Sequence, residues 1–235
     1  MQPYFFPYPG YFGLMRDVDV FVFFDDVQYI DRGWVNRNRI LGRDSACWWT
    51  MPVHAAPRHL SIASRRYLVR DSRERLLNRL AAAYRTAPHV TAVLSLVDRT
   101  LGHEDVSVAE LNIRTLVEVA LLLGIAPRYV RSSSLSHQSE RGGQARIMDI
   151  CRELGADSYL NPRGGTALYE RAAFEAAGMR LEFQNFEPIR YRQGTGASIE
   201  NLSILDALMF NGTEETSSLL AANAGRVLSN QEARR

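Results

Sequence analysis

Two features near the N-terminus have residue types and spacing that could do chemistry. One is the adjacent carboxylates Asp25 and Asp26; the other is the tyrosine-rich stretch Gln2-Pro3-Tyr4-Phe5-Phe6-Pro7-Tyr8-Pro9-Gly10-Tyr11. Carboxylates that end an apolar run can act as a general base toward an amine or hydroxyl, or anchor an ammonium group. Either of them can equally cap the following turn. Tyrosine hydroxyls need partners when buried, so Tyr4, Tyr8 and Tyr11, with Gln2, can form a polar-tipped wall for a sugar or nucleobase. Gly10 would leave room for a ligand to meet the amides of a following helix. Phe5, Phe6 and Phe12 read as core.

Beyond the acids, Gln28 and Tyr29 lead into Gly33-Trp34-Val35-Asn36-Arg37-Asn38-Arg39. If that segment is extended, Trp34, Asn36 and Asn38 face one side and Arg37 and Arg39 the other. Trp34 could then stack on a ring while an arginine grips a phosphate bidentately; the alternative is a surface loop of arginine–carboxylate pairs. Asn161 to Thr166 is a turn with Gly164 and Gly165, whose amides can face an anion or which serves tight packing. His54 and His59 are weak candidates as metal ligands. Cys47 has no local histidine partner to make it a nucleophile. No metal and no cofactor is expected.

The elements that must position these residues can be read from periodicity. Asp19 to Asp26 (DVFVFFDD) is an apolar run of the kind found in a strand buried on both faces of a parallel sheet. Gly10 to Asp17 is a short helix before it, and Cys47 to Val53 a further strand. Asp71–Thr86, Pro88–Leu101 and Ser107–Leu123 read as helices, the last with Ser107 as N-cap and Gly124 as its stop. Strands at 128–131, 157–160 and 179–184 then alternate with helices at 143–154 and from the Asn161–Thr166 turn through Ala177. Ser203 to Gly212 is a short helix capped by Ser203. This alternation predicts one α/β domain over 1–225, a parallel, doubly wound, Rossmann-like sheet with a helical insert at about 71–124. Residues 226–235 read as a polar, frayed tail. A strand is expected before the proline-rich loop, ahead of Met1. Ligands of open α/β sheets sit beyond the carboxyl ends of the strands, which gathers the Gln2–Tyr11 loop, the Asp25–Arg39 loop, Ser132–Ser134 and the Asn161–Thr166 turn into one crevice.

Composition narrows the chemistry. All 28 basic residues are arginine, so Schiff-base lysines, P-loop lysines and lysine phosphate clamps are excluded. An anion must be held by arginine forks or backbone amides. Two distant cysteines give no disulfide framework. No apolar run approaches the roughly 18 residues of a membrane span, and the proline-broken N-terminus is no signal peptide. A cytoplasmic protein without DNA binding is expected.

QPYFFPYPGYF and VDVFVFFDDVQYIDRGWVNRNRI closely resemble the start of WbqC-like proteins. GADSYLNPRGGTALY, Phe183-Gln184, Tyr191–Gln193 and LSILDALMFNG extend the resemblance in order to Gly212. The resemblance implies an association with surface-polysaccharide and O-antigen gene clusters, and a role as a glycine (aminoacyl) transferase acting on an amino sugar. The family usually has a short strand before the Gln-Pro, and a larger aliphatic residue where Pro9 stands. A looser analogy links the layout to nucleotidylyltransferases and pantothenate synthetases, which place HxGH where this chain has Tyr8-Pro9-Gly10-Tyr11. Both histidines are absent, so adenylation by that machinery is not expected.

The leading expectation is an aminoacyltransferase that acylates the amine of a nucleotide-linked amino sugar from a preactivated donor, aminoacyl-tRNA or a carrier thioester. Asp25 or Asp26 would handle the amine, amides near Gly10 or Gly164-Gly165 the oxyanion, the tyrosines and Trp34 the sugar or base, and Arg37 or Arg39 the diphosphate. A metal-dependent glycosyltransferase and a non-catalytic nucleotide-sugar binding protein are the alternatives.

Overall fold

The computed structural model describes residues 1–43, 45–102, 104–136, 142–194, 198–225 and 227–228. It is a mixed α/β structure with small parallel sheets and flanking helices. Pro9 opens α1 (Pro9–Arg16), where its fixed φ and missing N–H suit a first helical position. The chain then enters β1 (Val20–Phe23), which pairs in parallel with β4 (Arg128–Arg131). Phe21 and Phe23 are buried while Val20 and Val22 are half-buried, so β1 covers one face more fully than the continuous apolar run suggested.

The segment read as a loop up to Arg39 ends in a strand. β2 (Arg37–Leu41) and β3 (Ala46–Thr50) form an antiparallel hairpin, with Arg37 opposite Thr50 and Arg39 opposite Trp48. Cross-strand pairing overrides the weak strand propensity of Arg and Asn here, because Asn38, Ile40 and Trp49 are buried beneath the hairpin. Helices α2 (Val69–Ala83), α3 (Val90–Leu101) and α4 (Val108–Leu122) follow, and Ser107 Oγ accepts from Glu110 N–H as the N-cap of α4.

A 3-10 turn at Ser132–Ser134 follows β4. Then come α5 (Gly143–Glu153), β5 (Ser158–Pro162), a 3-10 turn at Arg163–Leu168, α6 (Arg171–Ala176) and β6 (Arg180–Gln184). The continuous helix expected from the Asn161–Thr166 turn to Ala177 is therefore broken, with Tyr169 extended between the two pieces. Two adjacent glycines give that first turn little helical preference. α7 (Ile204–Ala221) runs past the expected stop at Gly212, which instead kinks it at φ 71° beneath the ring of His89. β5 pairs in parallel with β6, and the short β7 (Val227–Leu228) lies antiparallel on β6.

These strands do not join into one doubly wound sheet among the described residues. β1 and β5 instead both line a cavity of about 340 Å3, with Met1 beside β1 donating to Val22 O and accepting from Phe24 N–H. The apolar interior is correspondingly divided. The larger core joins α1, the hairpin, α2–α4 and α7 around Phe5, Phe6, Phe12 and Trp49; a smaller one joins α5, α6, β5 and β6 around Phe174 and Phe183. No helix among the described residues is long and apolar enough to cross a membrane.

Candidate functional site

The N-terminal loop is held mainly through its backbone carbonyls, not through the hydroxyls of Tyr4 and Tyr8. Asn112 Nδ2 on α4 donates to Pro3 O at 2.8 Å and to Val35 O at 2.7 Å, while its Oδ1 accepts from Tyr67 at 3.0 Å. Asn38 Nδ2 reaches Phe5 O at 3.3 Å, Ser203 Oγ reaches Phe6 O at 2.7 Å, and Ile204 N–H reaches Pro7 O at 2.8 Å. Phe6 adopts φ 41°, an unfavourable region for a bulky residue that these bonds over-determine. Phe5, Phe6 and Phe12 are fully inside the core, while Tyr4 and Tyr8 pack half-buried at its edge.

Tyr4 and Tyr8 line a cavity of about 450 Å3 together with Trp34, Arg39, Arg163, Gly164, Gln184, Phe186 and Asn201. That volume suits a small ligand. Neither tyrosine hydroxyl has a hydrogen-bond partner among the described residues, and neither is a sealed-off polar atom. Burial pushes both phenols above the usual tyrosine range, and for Tyr8 proximity to Tyr4 adds to it. They are therefore neutral groups that can donate and accept.

Arginine makes this cavity positive. Arg39 reaches the carbonyls of Glu200 at 3.3 Å and Asn201 at 3.1 Å, which holds its guanidinium at the rim while its buried Nε has no partner. Arg163 is exposed and makes no hydrogen bond or ion pair among the described residues. Among the described residues, no carboxylate, histidine or cysteine is in the lining. Gln184 reinforces the wall from behind: its amide, oriented to donate to Gly10 O at 3.2 Å, accepts from Leu14 N–H at 2.8 Å.

Other expected residues lie elsewhere or are already engaged. Tyr11 is buried and donates to Gln2 O at 2.8 Å, so it braces the loop. The space expected beside Gly10 is taken by the rings of Tyr8 and Phe186. Gly165 is required by the Asn161 amide packed against it, whereas Gly164 is open on the cavity side. Arg37 shares a face of β2 with Arg39, as the alternation predicts, but does not line the same cavity. It bonds the carbonyls of Gly33 and Arg32, lies 4.0 Å over Trp48, and lines a second cavity.

That second cavity, about 830 Å3, collects Gln28, Tyr29, Asn36 and Arg37 with Asp31, Arg32, Arg58 and Arg65. Gln28 donates to Arg58 O and Asn36 to Met51 O, each at 3.0 Å. Burial, then the nearby Asp31, pushes the Tyr29 phenol up to about 12. Arg65 lies over the Tyr29 ring and donates to the carbonyls of His54, Ala56 and Pro57.

The acidic pair occupies a third place, where the strand-end rule brings it to the serines. Asp25, buried, accepts from Ser132 Oγ at 3.2 Å, Ser133 N–H at 3.0 Å and Ser133 Oγ at 2.7 Å. Asp26 accepts from Ser132 Oγ at 2.5 Å and from Arg146 on α5 at 2.5 Å. Neither acid lines either cavity. No cluster of potential metal ligands is found among the described residues, and His54 is paired with Asp105 at 3.0 Å.

Sequence reasoning missed Arg163, although it stands inside a motif already singled out, and it missed Asn112, whose position mid-helix gives no local sign of its distant partners. The one expected crevice thus resolves into a tyrosine–arginine cavity, an arginine-rich cavity and an acid–serine knot.

Comparison with known proteins agrees with the reach of the sequence motifs. A 217-residue alignment, 28% identical, covers 91% of this chain and 93% of the uncharacterised protein Rv1507c of Mycobacterium tuberculosis (strain ATCC 25618 / H37Rv). No solved structure matches. The model of the WbqC-like protein family matches residues 2–218, from the tyrosine loop into α7, and the chain belongs to that family.

Proposed function

We propose that the tyrosine–arginine cavity binds a nucleotide-linked amino sugar, and that the protein transfers an aminoacyl group to its amine. The observation that carries the reading is the pairing of Arg39 and Arg163 with two tyrosine hydroxyls unengaged among the described residues, in a lining where those residues contribute no carboxylate. Guanidiniums suit the diphosphate, the Trp34 and Phe186 rings suit the base or sugar face, and the phenols suit sugar hydroxyls. Two nearby cations also lower the pKa of a bound ammonium group and favour the free amine. That amine attacks the acyl carbonyl of a preactivated donor, the bond from carbonyl to leaving oxygen or sulfur breaks, and the amine proton ends on the leaving group. Tyr4 or Tyr8 can relay that proton as a neutral hydroxyl. Asp25 and Asp26 support the Ser132–Ser134 turn in this reading and take no part as the base.

Titration calorimetry with nucleotide-linked amino sugars, followed by mass spectrometry after adding aminoacyl-tRNA or a carrier thioester, tests the proposal. Binding with a gain in mass of one aminoacyl residue is expected; absence of both sinks it. The described lining, which holds no carboxylate, histidine or cysteine, favours a second reading, a nucleotide-sugar binding protein without turnover. Binding with no acyl transfer from either donor would select it.

A further inference from the structure

The outer face of the β2–β3 hairpin lies between the two arginine-bearing cavities. Arg39 and Trp34 line the first, Arg37 and Thr50 the second, and Trp48 stands opposite Arg39 in the hairpin register. Trp34 and Trp48 are each 40% exposed, with ring centroids 5.2 Å apart, and Arg37 lies 4.0 Å over Trp48. Ile30, 55% exposed, adds an apolar group to the lining of the second cavity. The second cavity brings Arg32, Arg37, Arg58 and Arg65 against one lining carboxylate among the described residues, Asp31. Arg32 has no side-chain partner among the described residues and is held at the loop tip by a backbone φ of 59°. Arg58 reaches Asp31 only at 3.9 Å, with both side chains largely in solvent.

Exposed indoles beside unneutralised guanidiniums are the ingredients of single-stranded nucleic-acid recognition, where bases stack on aromatic faces and arginines follow the phosphates. We propose that this face docks the single-stranded 3′ end of an RNA. Bases would stack on Trp34 and Trp48, phosphates would enter the Arg32–Arg58 cavity, and the terminal ribose would be directed to the tyrosine–arginine cavity. The inference rests on the acyl-transfer reading for its purpose: it selects aminoacyl-tRNA over a carrier thioester as the donor.

The test is fluorescence anisotropy with an eight-nucleotide single-stranded RNA ending in CCA and a blunt RNA duplex of the same length. The wild type is expected to bind the single strand more tightly, with affinity falling as salt rises. Trp48→Ala should weaken binding about tenfold. The Arg32→Ala/Arg58→Ala pair should reduce the salt slope by about 1.4. All three side chains are solvent-facing, so the variants should fold, and calorimetry with the nucleotide-linked amino sugar should give unchanged affinity. No single-strand binding at low salt, equal binding of the duplex, or indifference to these substitutions would overturn the proposal, as would binding of an aminoacylated carrier protein in its place. Single-strand binding with no nucleotide-sugar binding would instead sink the acyl-transfer reading and leave the RNA site standing.

Discussion

The acidic end of β1 and the tyrosine loop before α1 hold groups of similar chemical promise, and they spend their hydrogen-bonding capacity in opposite ways. At the acids the side chains are consumed: Asp25 and Asp26 accept from Ser132, Ser133 and Arg146. At the loop the backbone is consumed, through the carbonyls of Pro3, Phe5, Phe6 and Pro7, and the hydroxyls of Tyr4 and Tyr8 stay unengaged. A group whose bonds are made inside the fold stabilises it; a group held rigidly with its bonds unmade can bind something else. The acids tie α5 to the β1–β4 pair and so join the smaller core to the larger, while the tyrosines face open space.

The contrast can be broken most forcefully at Asp25. Asp25→Ala would leave the buried Ser133 N–H and hydroxyl without their acceptor, at a cost of about 3 kcal/mol. The melting temperature should fall by several degrees while the folded fraction keeps its nucleotide-sugar affinity. A large loss of affinity without loss of stability would reverse the assignment of the two regions.

Arg163→Ala should do the converse. The side chain is exposed and has no partner among the described residues, so thermal unfolding should not move, whereas affinity for a nucleotide-linked sugar should drop about tenfold and depend less on salt. Tyr8→Phe removes one hydroxyl without changing the ring. Calorimetry should show affinity reduced several-fold, by about 1 kcal/mol, with stability within about 0.5 kcal/mol of the wild type. The smallest effect concerns pH. Burial raises the Tyr4 and Tyr8 pKa values, so both hydroxyls keep their protons up to and beyond the ordinary tyrosine value of about 10. Binding measured from neutral pH to about 9.5 should show no tyrosine titration step. A step in that range that Tyr4→Phe or Tyr8→Phe abolishes would show that one phenol ionises and that the cavity is wetter than its geometry implies.

Much of the fold was legible locally. β4 was placed at Arg128–Arg131, and Ser107 caps α4 through Glu110, because apolar period and capping chemistry are properties of neighbouring residues. The hairpin strand at Arg37–Leu41 was not, since its partner, not its composition, makes it a strand. Within the candidate site, the types of Tyr4, Tyr8, Trp34 and Arg39 pointed to the cavity that they line, while Arg163 went unweighed inside its own motif. The alternation puts Arg37 and Arg39 on one face of β2 as expected, yet they line different cavities, because Arg37 turns back onto the carbonyls of Gly33 and Arg32 while Trp34 joins Arg39.

The sequence by itself determined that any anion here meets arginine and never lysine, that the chain alternates strands and helices, and that tyrosine hydroxyls and a carboxylate pair were available. Only the tertiary structure decided which of them remain available. Hydrogen-bond satisfaction depends on partners such as Ser133, Arg146 and Asn112 that lie about a hundred residues away in the chain. No local pattern carries that information, because backbone and side-chain groups compete for the same partners only once the chain has folded.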